Sequence, residues 1–517
     1  MPTFRTTGQL DDPYIEDGDP AFRGIDQHTD PLLLEAGMIQ LGENIRIEKG
    51  IISVRKGLSK INKNVPTGSG LGFVKFSDPN SGLEDLLAIF GDRAIGVESN
   101  IEVDIDQPNY GYNARVYGIQ AFEQVLLFSN GFLPKSWNPQ HQYFSTRFVN
   151  QSQTPADSAV NFVCPTAPFG QYLSNRLAVP YYADSQSTVA FSDILQPNQF
   201  TLSNTFFCNK GTSDVTLAIC SYAENQAIIF NKNSIHIISN THSLGLNSTN
   251  FEITRQYGIC GSKAFAQNGS YIYFISNEGN IQVIVPSSDP AKGLGIAISK
   301  VTLDQEPLSR AIQDTIDRID LRSLSKSVVH YHRNKVYFTF GIDSENCNTI
   351  AVYDSLTSQW VSIDTFGWDI DIRDIGSIDK KLYILTSQEI CSYEESVFDL
   401  GGIIYGKFKT RDFILSSREI KKFVRGSINY KVSDGADLTV TTETKNPDST
   451  VVSKQISLEA DESALSRFNV SQRGHSASIE VSCNFRSDQA RPVTSEAKFK
   501  SVSLEAFATG RTTGDFT

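Results

Sequence analysis

The strongest constraint on this chain is a unit that recurs: one or two polar residues, four to six mostly apolar ones, a short polar turn, and a second apolar run. It starts near Asp85 (Leu86-Leu87-Ala88-Ile89-Phe90), Gln124 (Val125-Leu126-Leu127-Phe128) and Arg176 (Leu177-Ala178-Val179). It returns near Gln226 (Ala227-Ile228-Ile229-Phe230), Tyr271 (Ile272-Tyr273-Phe274-Ile275), Lys335 (Val336-Tyr337-Phe338) and Lys381 (Leu382-Tyr383-Ile384-Leu385). Such β-branched and aromatic runs, broken by turns like Asn231-Lys232-Asn233 and Asn277-Glu278-Gly279-Asn280, are antiparallel hairpins. A run that is apolar without alternation must be covered on both faces, as in a sheet pressed between two other sheets. Successive starts lie 39 to 64 residues apart, the period of β-propeller blades. The predicted fold is therefore all-β, with a β-propeller of about seven blades, six to eight, across residues 65–400.

The longest interval, before Lys335, has a local cause. Between Thr302 and Leu324 the apolar period changes from 2 to 3.6: Leu308, Ile312, Ile316 and Ile319 share one helical face, and Pro307 sits where a helix tolerates it. One helix of about four turns, near 305–322, is predicted as an insertion between blades. Residues 1–36, rich in Asp, Pro and Gly without periodicity, read as an extended arm. Residues 37–64 hold a hairpin, Ile45-Arg46-Ile47 and Ile51-Ile52-Ser53-Val54 around Glu48-Lys49-Gly50, expected to lead into the first blade. Over 401–508 the strands lengthen and alternate, as in Leu438-Thr439-Val440-Thr441-Thr442 and Phe499-Lys500-Ser501-Val502-Ser503-Leu504. That predicts a separate C-terminal antiparallel β-sandwich, followed by a free tail, 509–517.

Composition bounds the function. The 517 residues are 39% hydrophobic and 20% charged, the composition of a folded chain, and no run approaches transmembrane length. Met1-Pro2-Thr3-Phe4-Arg5 does not open a signal peptide. Seven cysteines (164, 208, 220, 260, 347, 391, 483) without a C-x-x-C pair read as scattered core thiols in a reducing compartment. A net charge of −12 argues against binding nucleic acid by neutralising phosphates, though not against standing beside it.

The motifs that carry chemistry are few. His330 and His332 alternate on one strand face, a spacing metals use, but without a third ligand nearby they read as surface or interface histidines. The run Trp368-Asp369-Ile370-Asp371-Ile372-Arg373-Asp374 carries carboxylates of the kind propeller glycosidases use as acid and nucleophile; a solvated edge or inter-subunit contact is the preferred reading. Tyr353-Asp354 followed by Gln359-Trp360 looks like the closing strand of a kelch-type blade, with Trp360 wedged between blades. There is no Walker A loop, no G-x-S-x-G elbow and no H-E-x-x-H. The residues predict no catalytic constellation, no cofactor site and no metal site.

The order of features resembles the tail nozzle, or tail hub, proteins of short-tailed (podovirus-type) bacteriophages. The resemblance rests on the hairpin ending Ser53-Val54-Arg55-Lys56-Gly57, on Gln226 to Ile237, on Tyr257-Gly258-Ile259-Cys260-Gly261 leading into Tyr271 to Ser276, on the inserted helix and on the terminal sandwich. It implies a non-enzymatic structural protein of the virion tail, assembled in the host cytoplasm. It also implies a homohexameric ring that continues the DNA ejection channel below portal and adaptor, passes DNA without specific binding, anchors fibres or spikes and touches no membrane. The alternatives from the residues are a carbohydrate- or receptor-binding propeller and a propeller glycosidase.

Overall fold

The computed structural model describes residues 14–65, 69–78, 81–105, 114–140, 143–145, 161–183, 185–209, 211–222, 225–244, 248–287, 297–298, 307–367, 369–415, 420–446, 450–459, 464–485 and 495–508. The start of the predicted arm (1–13) and the predicted tail (509–517) lie outside them.

The recurring apolar runs are the second strands of seven consecutive antiparallel sheets. The first sheet is Gly72–Ser77, Glu84–Ile89, Arg93–Gly96 and Glu102–Ile105, with Tyr143–Phe144 added parallel to the last of these, and the second is Tyr117–Ala121, Gln124–Phe128 and Lys135–Trp137. The third is Gln171–Leu173, Arg176–Pro180, Thr188–Asp193 and Gln196–Phe207, with Asn161–Phe162 paired to the last of these; the fourth is Thr216–Ser221, Gln226–Asn231, Ile235–Ser239 and Thr249–Thr254. Phe265–Asn268, Tyr271–Ile275 and Ile281–Ile284 form the fifth, and Val329–His332, Lys335–Phe340, Thr349–Asp354 and Gln359–Thr365 the sixth. The seventh, Ile372–Ile378, Lys381–Thr386 and Ile390–Ser396, takes its fourth strand, Gly57–Lys60, from the start of the chain.

Each sheet packs on the next, which is why the second strands are apolar on both faces. Leu126 and Phe128 of the second sheet share a core with Leu177 and Val179 of the third, and Phe191 of the third with Ile229 of the fourth. Phe230 of the fourth stacks on Phe265 of the fifth at 5.7 Å. Phe73 and Leu86 of the first sheet pack with Tyr383 and Leu385 of the seventh, so the series returns to its start. There a Cβ on Gly376 would lie 2.5 Å from Leu86 Cδ2, so glycine is what lets the last and first sheets meet this closely.

Two larger sheets lie beyond the seventh. One joins Ile45–Glu48, Ile51–Val54, Ala497–Ala508, Lys421–Val432 and Ala464–Gly474, with Tyr14–Asp19 paired to Ala497–Ala508. The other continues from the sixth sheet through Met38–Glu43 into Gly406–Thr410, Ser476–Phe485, Ala436–Lys445 and Val451–Leu458, with Gly24–Ile25 paired to Met38–Glu43, ten strands in all. The two face each other through Phe408 and Phe499, 5.3 Å apart, and through Thr442 hydrogen-bonded to Gln472.

Four expectations are corrected here. Tyr14–Asp19 and Gly24–Ile25 are sheet strands and not a free arm, because Asp17 and Asp19 both accept from Arg411, at 2.9 and 3.0 Å, and Asp19 also accepts Gly37 N–H. The hairpin of residues 37–64 feeds the large facing sheets and the seventh sheet, not the first blade, since its apolar residues Ile45, Ile47 and Ile52 belong to the core those sheets share. Strands of 401–508 are joined to the sixth sheet and to residues 14–54, so they are not a separate unit. The four-turn helix is instead three short pieces, Leu308–Ile312, Gln313–Ile316 and Leu321–Leu324. Ile312 leaves helical geometry at φ −121°, and Asp320, whose side chain accepts Arg322 N–H, caps a new start. The predicted apolar face survives: Ile312 and Ile316 are buried, and Leu308 and Ile319 pack on the same core.

A buried ionic network locks the start of the chain to the sixth and seventh sheets. Arg46 holds Asp364 bidentately at 2.7 and 2.8 Å and reaches Glu394 and the Tyr393 hydroxyl, both at 2.7 Å. Arg55 binds Asp399 at 2.9 and 2.6 Å, donates its Nε–H to Asn44 Oδ1, and lies over the Phe366 ring. Burial pushes the Asp364 carboxyl up, but Arg46 and Arg55 outweigh it and hold it below the ordinary carboxylate range. Asp364→Ala would strand two buried guanidinium groups, so it should lower the free energy of unfolding by about 3–5 kcal/mol in chemical denaturation; a loss comparable to that of an exposed pair would contradict the role given to this network.

Candidate functional site

Several of the first strands begin near one another, and charged or polar residues stand at these beginnings. Arg115 precedes Tyr117–Ala121, Lys263 precedes Phe265–Asn268, Ser327 precedes Val329–His332, and Asp371, Arg373 and Asp374 flank or open Ile372–Ile378. Hydrogen bonds hold these starts in place: Val116 N–H donates to Leu71 O and Val329 N–H to Lys263 O, between neighbouring starts, and Ile372 N–H donates to Cys347 O ahead of Thr349–Asp354, at 2.8 to 3.0 Å.

Asp374 is buried and fully engaged. Its Oδ2 accepts Phe73 N–H at 2.6 Å and the Lys263 ammonium, and its Oδ1 accepts Ile375 N–H at 2.9 Å. Lys263 passes the backbone at Gly72, where a Cβ would stand 2.7 Å from Nζ, so the pair needs glycine there. Burial lowers the Lys263 pKa, and the Asp374 carboxylate only partly offsets this. Asp371 Oδ2 lies 2.7 Å from Arg373 Nε but without hydrogen-bond alignment, and its Oδ1 has no hydrogen-bond partner among the described residues. Arg115 Nε and Nη2 are shielded from solvent and likewise have no partner; burial lowers the proton affinity of this guanidinium, with Cys347, Asp374 and Asp371 opposing.

The sequence drew attention to the carboxylates but not to these cations. Asp371 and Asp374 are 5% and 4% exposed, which corrects their reading as a solvated edge: each sits beside a cation, whereas Asp369 is exposed. Trp368 lies outside the described residues. The signal that could have revealed Arg115 and Lys263 is their position, a charge directly ahead of an inner strand.

The histidines are also placed differently from expectation. His330 Nε2 lies 3.0 Å from Ser377 Oγ of the seventh sheet, and His332 Nε2 lies 3.3 Å from Lys380 O, so both face the neighbouring sheet. No group of three or more His, Cys, Asp or Glu side chains able to hold a metal occurs among the described residues. Trp360 is buried with its indole N–H donating to Leu308 O at 2.9 Å, and Asp354 Oδ1 accepts the Leu356 and Thr357 amides of the turn that follows it. All seven cysteines are free thiols, and burial raises those of Cys208, Cys220, Cys391 and Cys483 to about 12.

No protein-family model matches the chain, and no curated protein does. Among solved structures, it is similar to an extracellular domain ascribed to a one-component system of B. thetaiotaomicron, at 10% identity and TM-score 0.38, over 74% of this chain and 44% of that one. It is also similar to PorZ, a surface component of the type-IX secretion system of Porphyromonas gingivalis (9%, 0.36, 90% and 59%). A third is an exo-β-1,3-galactanase of Phanerochaete chrysosporium (8%, 0.25, 65% and 94%). The chain thus spans less than two thirds of the first two, and likenesses of this strength do not transfer a function.

Burial lowers the His330 pKa to about 4, the Asp374 charge opposing and His332 adding to the effect. The unfolded chain, with an ordinary histidine near 6.5, binds this proton first, so the contribution is present at neutral pH and is lost as pH falls from about 6.5 towards 4. The wild type should lose on the order of 2 kcal/mol more than His330→Gln between pH 7 and 4.5 in denaturant titrations. Parallel losses in the two proteins would show that the histidine does not carry this pH dependence.

Proposed function

We propose that the seven sheets are the blades of a closed β-propeller, that the two facing sheets are a β-sandwich fused to it, and that this body is a structural ring subunit of a short-tailed phage tail. The observation that carries the reading is the path of residues 14–60. It contributes strands to the facing sheets, to the ten-stranded sheet and to the seventh sheet, and its Arg46 and Arg55 tie these to Asp364 and Asp399. A body stitched in this way resists shear between its parts, the property needed in the wall of a pressurised tube. Asp374 among the strand starts is committed to Lys263 and to the Phe73 amide, an arrangement suited to holding structure more than to general acid and base work on a glycoside.

Six copies would close a ring whose subunits each carry a net charge of −12. With part of that charge facing the lumen, the wall repels phosphates and DNA slides through it without binding. Adaptor, fibres or spikes would attach to surfaces outside the blade series.

A second reading, a carbohydrate- or receptor-binding propeller, is favoured by one observation. Phe251 and Phe207, on the outer strands of the fourth and third sheets, are 67% and 36% exposed, and Asn250 Nδ2 donates to Phe207 O at 2.9 Å between them. Exposed aromatic rings of this kind are available to a ligand. Electron microscopy of the purified chain and of virions separates the two readings: six-fold rings with a central channel are expected. A monomer that binds glycans in solution, or hydrolyses them, would replace the tail reading.

A further inference from the structure

Among the described residues, Arg115 is a guanidinium without a salt-bridge partner of its own. Among the strand starts stand three cations, Arg115, Lys263 and Arg373, and two carboxylates, Asp371 and Asp374, which leaves one positive charge over. Both oxygens of Asp374 are occupied, and Asp371 is shared with Arg373. An arginine does not shed its proton to relieve such a situation, and an unpaired buried charge is costly.

The two N–H groups that lack partners are Nε and Nη2. These form one edge of the guanidinium, two parallel donors spaced to receive the two oxygens of a single oxyanion. The Asp371 charge acts on Arg115, and its Oδ1 is an acceptor without a donor among the described residues; Ser327, whose buried hydroxyl makes no hydrogen bond among them, stands with Arg115 around Cys260. A ligand that satisfies this set carries one negative group with two coplanar oxygens and at least one hydroxyl beside it. Arg115 as a whole is only partly buried, so part of its side chain meets solvent while its Nε and Nη2 face inward.

We propose that Arg115 anchors a binding site for a small hydroxylated monocarboxylate, of the sugar-acid or α-hydroxy-acid class, with Asp371 accepting the ligand's hydroxyl and Ser327 completing the shell. A single carboxylate restores neutrality among the strand starts, and its plane matches the guanidinium edge. The site is independent of whether the protein is a tail subunit, since it lies within one chain.

The test uses the full-length protein with glucuronate, glucose, acetate and inorganic phosphate as separate probes, read by calorimetry and by the shift of the thermal midpoint. Glucuronate should bind saturably and raise the midpoint. Acetate should bind at least tenfold more weakly for want of hydroxyls, and glucose should leave the midpoint unchanged for want of charge. Arg115→Gln should weaken glucuronate binding at least tenfold while the unliganded midpoint stays level or rises, because an unpaired buried charge has been removed. Arg115→Lys, which keeps the charge and loses the paired donors, should also bind at least tenfold more weakly.

The proposal is overturned if glucuronate fails to bind, if phosphate binds as tightly as glucuronate, or if the glutamine or lysine variant binds like the wild type. A large drop in the unliganded midpoint of Arg115→Gln would equally overturn it, by showing that the fold itself holds the guanidinium.

Discussion

The architecture depends on the pairing of Arg46 and Arg55 with Asp364. Asp364 lies at the end of the sixth sheet, Arg46 and Arg55 come from the early strands, and Tyr393 and Glu394 belong to the seventh sheet. Two buried guanidinium groups and a buried carboxylate are expensive to desolvate singly, so they tolerate only an arrangement in which all partners are present together. The network therefore works less as a source of net stability than as a condition on geometry: the early strands, the sixth sheet and the seventh sheet are either in register or unpaired.

That condition explains why residues far apart in sequence share one body. Once Arg46 and Arg55 are seated, Gly57–Lys60 falls beside Ile390–Ser396, and Ile51–Val54 falls beside Ala497–Ala508. The apolar surfaces do the rest. Phe22, Phe408 and Phe499 fill the space between the facing sheets, and the doubly apolar second strands have no stable position except between neighbours. The same convergence gathers the strand starts with Lys263, Asp374 and Arg115, so the charged cluster is a by-product of how the sheets meet.

Much of this was legible in the residues. The seven runs starting near Asp85, Gln124, Arg176, Gln226, Tyr271, Lys335 and Lys381 are second strands in seven successive sheets, because continuous apolarity reports two-sided burial directly. The apolar face of Leu308, Ile312, Ile316 and Ile319 was also readable, but not the breaks at Ile312 and Asp320, which depend on local backbone angles and a cap. The Asp-rich start was misread as an arm because Asp17 and Asp19 look like solvated charges until Arg411, nearly four hundred residues away, is brought to them. Asp371 and Asp374 were misjudged for the same reason: their cations come from elsewhere in the fold or need a buried setting to matter.

By itself, the sequence determined that this chain is built of short antiparallel strands in repeating sheets, because the period and continuity of apolar side chains are local properties that any window of residues displays. Only the tertiary structure decided which strands from the two ends of the chain share a sheet, which carboxylate meets which guanidinium, and that Arg115 is left with two donors and no acceptor. Charge pairing across hundreds of residues is a matter of distance in space, and no local pattern of residue types encodes it.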